Sequence, residues 1–266
     1  MVYKWVAGAL PCLCMLFGLQ VAAHSWIDQL AVISQSSSIF IGHYGYPRGY
    51  VARSDAGFTA AKNTHLLPAA DSARSRINAS DMLCLDRQRV PNQPANWPRL
   101  KAAPGDWVAL RYAENGHVTL PWNTPGKPEL GGTTYIYGTH SPVADEKILD
   151  VLQWNTNGTS GDGRGRLLAS SNFDDGRCHQ INDGNISLQR QRSYPDFAPN
   201  DTRVKNELYC ESDVKIPEDA LLGSTYTLYW IWEWPTVESE ASKGKDEWYT
   251  TCMDVDIQTV TTSPTG

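Results

Sequence analysis

Short apolar and β-branched runs, each bounded by Gly, Pro, Asn or Asp, set the pattern along this chain. They fall at residues 30–34, 38–42, 107–112, 117–120, 133–138, 226–234 and 248–260. Runs of this length with turn residues between them predict strands. The stretch from Thr225 to Trp234 is apolar on both parities, which predicts a strand covered on both faces. Further on, Tyr249, Thr251, Met253, Val255 and Ile257 alternate with Thr250, Asp254 and Asp256, which predicts a half-buried strand. Residues 145–153 carry the one helix signal, and 156–166 and 182–206 read as long polar loops. No internal repeat or linker divides the chain. The pattern predicts an all-β fold, a single immunoglobulin/fibronectin-like β-sandwich with long loops.

The first 23 residues depart from that pattern. Lys4, an apolar run through Leu10, Met15, Leu16, Phe17 and Leu19, and the small-residue ending Val21-Ala22-Ala23 read as a secretory signal peptide. Cleavage after Ala23 makes His24 the first residue of the mature chain. A terminal histidine offers its α-amine and its ring nitrogen to one metal ion, a nitrogen-rich donor set that suits copper. The expected organisation is a signal peptide at 1–23, a copper-binding β-sandwich at 24–260 and a short polar tail at 261–266.

Composition narrows the classes. The formal charge is −6, and it becomes more negative without Lys4, so a nucleic-acid partner is disfavoured. Beyond the leader no apolar stretch is long enough to span a bilayer, which leaves a secreted, extracellular product with no membrane association as the expectation. Sequons at Asn78, Asn157, Asn185 and Asn200 predict glycosylation in a eukaryotic secretory pathway. Of six cysteines, Cys12 and Cys14 leave with the signal peptide. Cys84, Cys178, Cys210 and Cys252 predict two disulfides, and spacing alone leaves all three pairings open.

Several strings, taken in order, resemble the lytic polysaccharide monooxygenase superfamily, as a divergent fungal member. His24 matches the first ligand of that superfamily's histidine brace. Ser80-Asp81-Met82-Leu83-Cys84 is similar to its segment with a cysteine after an Asp-apolar pair. Ala103-Pro104-Gly105-Asp106-Trp107-Val108-Ala109-Leu110-Arg111-Tyr112 is similar to the Gly-Asp strand leading to the second histidine, and His117 is the first histidine after it. Ile216-Pro217 followed by Gly223-Ser224-Thr225-Tyr226-Thr227-Leu228-Tyr229 resembles the strand before the closing segment. Glu247-Trp248-Tyr249-Thr250-Thr251-Cys252 parallels a Gln-aromatic-Tyr-x-x-Cys string, with Glu247 in place of the glutamine. The usual His-x-Gly-Pro is absent, since Val118-Thr119-Leu120-Pro121 follows His117.

The resemblance implies one copper ion held by His24 and His117, with Tyr249 in the axial direction and Glu247 near bound oxygen or in a proton relay. The other candidates for the second ligand are His140, then His43, His65 and His179. It further implies a polysaccharide substrate, an external electron donor with dioxygen or hydrogen peroxide, and Cys84 paired with Cys252, leaving Cys178 with Cys210. A monomer is the simplest expectation.

The tyrosines of His43-Tyr44-Gly45-Tyr46-Pro47-Arg48-Gly49-Tyr50 offer either a flat sugar-stacking surface or a packed loop. Two other classes compete with the oxidase. A non-catalytic copper-binding or trafficking protein uses the same brace. A glycoside hydrolase needs a carboxylate pair, for which Asp174-Asp175 is a poor candidate because adjacent strand residues point apart.

Overall fold

The computed structural model describes residues 24–194, 207–240 and 243–259. The expected signal peptide, the tail at 261–266 and the sequon at Asn200 lie outside the described residues. Among the described residues ten strands form two sheets. They are β1 (Ile27–Ile33), β2 (Phe40–Gly45), β3 (Leu66–Leu67), β4 (Leu100–Ala102), β5 (Trp107–Tyr112), β6 (Thr133–Thr139), β7 (Gly165–Asn172), β8 (Cys210–Lys215), β9 (Thr225–Glu233) and β10 (Trp248–Ile257). The first sheet runs β2-β1-β5-β8; the second runs β3-β10-β9-β6-β7, with β4 added parallel to β10. The fold is therefore the all-β sandwich that the strand pattern predicts. Among the described residues helix is confined to α1 (Ile148–Val151), α2 (Asn185–Ser193) and short 3-10 turns. Among the described residues no helix is long and apolar enough to cross a membrane.

The main core lies between the sheets. Ile27, Leu30, Val108, Leu110 and Tyr112 from the first meet Tyr226, Leu228, Trp230, Trp232, Met253 and Val255 from the second. A second apolar cluster, including Leu83, Ile148, Val151, Trp154, Tyr229 and Ile231, covers the other face of β9. Both parities of β9 are buried for that reason. The half-buried reading of β10 needs correction, because Thr250, Cys252 and Asp254 are buried too. Loops from far upstream cover that face. Arg48 pairs with Asp254, Cys84 is bonded to Cys252, and Thr250 Oγ1 reaches the Leu83 carbonyl.

Several elements differ from the sequence pattern. Residues 117–120 form a turn, not a strand. Helix α2 occupies part of the segment read as a loop, and the edge strands β7 and β8 carry too few apolar residues to announce themselves. Two disulfides form, Cys84–Cys252 and Cys178–Cys210, the pairing that the resemblance implies. Each joins segments that belong to different parts of the fold.

Candidate functional site

Strand register brings the first candidate residues together. β1 and β5 are antiparallel, with Ile27 opposite Tyr112. The residues just before β1 therefore run beside those just after β5. Two bonds hold the segments in place: Ser25 Oγ donates to the Ala113 carbonyl at 3.0 Å, and Asn115 Nδ2 donates to the His24 carbonyl. On the opposite sheet Tyr249 lies across from Trp232. The end of β9 and the start of β10 thus reach the same end of the sandwich.

His117 sits where the two sheets meet. Asn115 and Gly116 have φ of 49° and 81°, and the His117 amide donates to the Glu114 carbonyl at 2.9 Å. Asn-Gly suits two successive left-handed residues, and the reversal turns the histidine inward. Its ring meets Trp234 edge-on at 4.5 Å and lies 5.2 Å from Trp232. Only 4% of His117 is exposed. Both ring nitrogens are buried with no hydrogen-bond partner among the described residues. Burial is the main cause that pulls its pKa down to about 3, and the nearby charges of Lys127 and His24 push the same way. The ring is thus a neutral imidazole with two lone positions to satisfy, and the half-buried His24 is within electrostatic reach. A buried polar pair without partners calls for an explanation.

Tyr249 and Glu247 reach the same aromatic wall, Tyr249 through Trp232 and Glu247 through Lys127 on Trp234. Tyr249 is buried and stacks on Trp232 at 4.8 Å. Its hydroxyl donates to Glu247 Oε2 at 3.4 Å, and burial raises its pKa above the ordinary tyrosine range. Glu247 Oε1 is engaged as well, by Thr236 Oγ1 at 3.3 Å and by an ion pair with Lys127. Lys127 also donates to the Trp234 carbonyl at 3.0 Å and lies over the Trp234 ring. Sequence reading missed Lys127: a lysine in Pro125-Gly126-Lys127-Pro128 gives no local signal.

The alternative histidines lie elsewhere or are engaged. His140 follows β6 at the opposite end of the second sheet, with its ring against Tyr226. His43 is exposed on β2. The His65 ring reaches the Met82 carbonyl and the His179 ring the Arg177 carbonyl, each at 3.0 Å. Asp174, Asp175 and Cys178 bring potential ligand atoms together. However, Cys178 is in a disulfide, Asp174 is clamped by Arg190, and Asp175 accepts the backbone amides of Arg177, Cys178 and Glu211. Those two carboxylates are structural.

The tyrosine string packs inward. Tyr46 and Tyr50 are buried against Trp97, with ring centroids 4.8 and 5.5 Å from it. The sugar-stacking surface drawn from that string is therefore overturned in favour of the packed loop. The exposed aromatic on the His117 loop is Trp122, five residues further on and 61% exposed.

Comparison with known proteins adds a family. Among curated proteins none matches the chain. The chain is similar to a cellulose-active polysaccharide monooxygenase from M. thermophila at 10% identity and a TM-score of 0.35, covering 91% of this chain and 82% of that one. The sandwich described above rests on this chain's own strand pairing. Residues 21–265 match the model of a family described as a domain of unknown function, DUF7492, and the chain belongs to that family.

Proposed function

We propose that this protein is a secreted copper-dependent monooxygenase that cleaves a cell-wall polysaccharide oxidatively, with one copper ion held by a brace of His24 and His117. The observation that carries the reading is His117, a neutral buried imidazole with both nitrogens unpartnered, close enough to His24 to feel its charge. The donor chemistry fits the metal. Two imidazoles and the α-amine freed by cleavage after Ala23 make an all-nitrogen set, which favours copper over magnesium, calcium or manganese.

Copper, when bound, supplies the redox chemistry that activates dioxygen or hydrogen peroxide with an external electron donor. The chain's own residues do the rest. Asn115 and Ser25 hold the two ligand-bearing segments side by side. Trp232, Trp234 and Phe173 surround His117 and keep water from its ring. The Tyr249 hydroxyl keeps its proton, because burial disfavours the phenolate, and Glu247 accepts that hydrogen bond. With both oxygens engaged, Glu247 serves as the charge partner of Lys127 and the anchor of Tyr249.

The test is copper titration of the secreted protein with its native terminus, with Cu(II) EPR and mass determination of that terminus. A variant with one Ala inserted before His24 is run beside it. Tight one-to-one binding with a nitrogen-rich spectrum, lost in the extended variant, supports the brace. Binding indifferent to the insertion overturns it. Release of oxidised sugars with reductant supports the monooxygenase; a copper-loaded protein that releases none across cellulose, xylan and chitin is instead a non-catalytic copper binder.

A further inference from the structure

We infer that Glu114 is a positioning residue that sets the orientation of His117, a role that rests on the copper reading above. Glu114 follows β5 by two residues and is only 2% exposed. Its side chain turns back over the loop that it begins. Oε2 accepts the amides of Val118 at 2.8 Å and Thr119 at 3.2 Å. Oε1 accepts the Thr119 hydroxyl and the Gln180 amide, the latter at 2.9 Å. With its own carbonyl on the His117 amide, the residue grips the chain on both sides of the histidine.

The grip reaches a rigid support. Gln180 follows Cys178, which is bonded to Cys210 on β8, and Arg190 of α2 donates to the Cys178 carbonyl at 2.7 Å. Asn182 Nδ2 adds a second link, donating to Thr119 Oγ1 at 2.8 Å. The His117 loop is therefore tied through Glu114 to a disulfide-anchored segment, while Asn115 ties the same loop to His24. One loop sets the separation of both proposed ligands.

A carboxylate is needed here because every group hydrogen-bonded to its oxygens donates. An ionised carboxylate offers acceptors only, whereas a glutamine carries an NH2 on one side. In Glu114→Gln that NH2 opposes either the amides of Val118 and Thr119 or the Gln180 amide and Thr119 hydroxyl. At least one backbone N–H then loses its acceptor, two where the NH2 faces Val118 and Thr119, and the loop that holds His117 loosens.

The experiment compares wild type, Glu114→Gln and Thr227→Val as full secreted chains with verified native termini. Thr227→Val removes buried hydrogen bonds to Arg48 and Asp254 at the far end of β9, so it reports a loss of stability remote from His117. The readouts are copper affinity, Cu(II) EPR, and the NMR shifts of the His117 ring protons in metal-free protein, which the Trp232 and Trp234 rings displace. In Glu114→Gln the expected results are copper affinity lower by about tenfold or more, an altered spectrum, and ring shifts moving toward those of a free histidine. Thr227→Val is expected to melt earlier with the wild-type spectrum and shifts. Wild-type affinity, spectrum and ring shifts in Glu114→Gln overturn the inference. If that variant does not fold, Thr119→Val, which removes one donor to Glu114, is expected to shift the same readouts less, and wild-type readouts there overturn the inference as well. A wild type that binds no copper overturns the copper reading, a result distinct from either.

Discussion

Lys127 and Glu247 form an ion pair across the aromatic wall of the site, with the Lys127 ammonium 3.9 Å from the centre of the Trp234 ring. Both side chains are mostly buried, at 10% and 14% exposure. Burial lowers the lysine's pKa and the carboxylate acts against that shift. The indole face adds a cation–π contact. Because Trp234 also carries the edge of the His117 ring, the pair braces the wall against which His117 packs.

Breaking one half of that pair leaves a buried charge without compensation. Lys127→Met is expected to cost about 2–4 kcal/mol, near the range for removing one partner of a buried pair. Lys127→Met with Glu247→Gln should recover most of the loss, since no charge is then stranded. Urea unfolding of the two single variants and the double variant gives the coupling energy. A single-variant loss below about 0.5 kcal/mol would show that the pair is worth no more than an exposed one.

Trp122 is the exposed indole on the loop that carries His117, and one edge of its ring lies against Gly184. A Cβ on Gly184 would lie 2.9 Å from the Trp122 ring and 2.7 Å from the Thr119 carbonyl. Under the proposed function this ring is the stacking surface for sugar. Trp122→Ala is expected to reduce retention on insoluble polysaccharide several-fold while leaving the melting temperature and copper affinity unchanged. Gly184→Ala should reduce retention too, by displacing the indole. Equal retention of wild type and Trp122→Ala in a pull-down would remove this ring from substrate binding.

Strand 226–234 was legible because both its faces are covered by apolar residues that the chain itself announces. The outer face of β10 was not. Its cover comes from Arg48 and Cys84, separated by 206 residues from Asp254 and by 168 from Cys252, and local alternation carries no trace of such partners. Residues 117–120 have strand-like alternation yet fold as a turn. The left-handed Asn115-Gly116 pair reverses the chain, and the Glu114 carboxylate takes the Val118 and Thr119 amides that a neighbouring strand would otherwise accept. β8 was missed because Glu211, Asp213 and Lys215 dilute the buried Cys210, Ser212 and Val214. In the candidate site, the resemblance pointed to His117 as the first histidine after β5, and its inward turn follows from the Asn115-Gly116 pair. Lys127 and Glu114 were not legible, since their importance lies in contacts made after folding. The Tyr46 and Tyr50 rings looked like a surface because Trp97, which covers them, lies far along the chain.

The Cys84–Cys252 bond ties an early loop to the last strand across 168 residues. Closing so long a loop restricts the unfolded chain strongly, and the expected loss on removing it is about 5 kcal/mol in the chain-entropy model. Cys84→Ala with Cys252→Ala, compared with wild type by guanidinium unfolding, measures it. Loss of under about 1 kcal/mol would mean that the Arg48–Asp254 pair and the outer-face packing hold β10 unaided.

Acidification should weaken the metal-free fold through histidines kept neutral by burial. His65 shows the effect away from the proposed ligands. Burial lowers its pKa from the ordinary value near 6.5, with the Arg89 charge adding to that shift; the Met82 carbonyl bond and the charges of Asp86 and Asp81 oppose it. Above 6.5 both folded and unfolded chains hold a neutral His65, and the group contributes nothing to the pH dependence. As pH falls through that value the unfolded chain takes up the proton first, so folding stability declines until the folded ring also protonates. The urea midpoint of metal-free protein is therefore expected to fall between pH 7.5 and 5.5 (values chosen to span roughly one unit either side of an unperturbed histidine). His65→Gln, which keeps an N–H for the Met82 carbonyl, should flatten part of that decline. His117, whose pKa burial draws down to about 3, adds to the decline with the same sign over a wider range. An unchanged slope in His65→Gln would place the acid sensitivity elsewhere in the molecule.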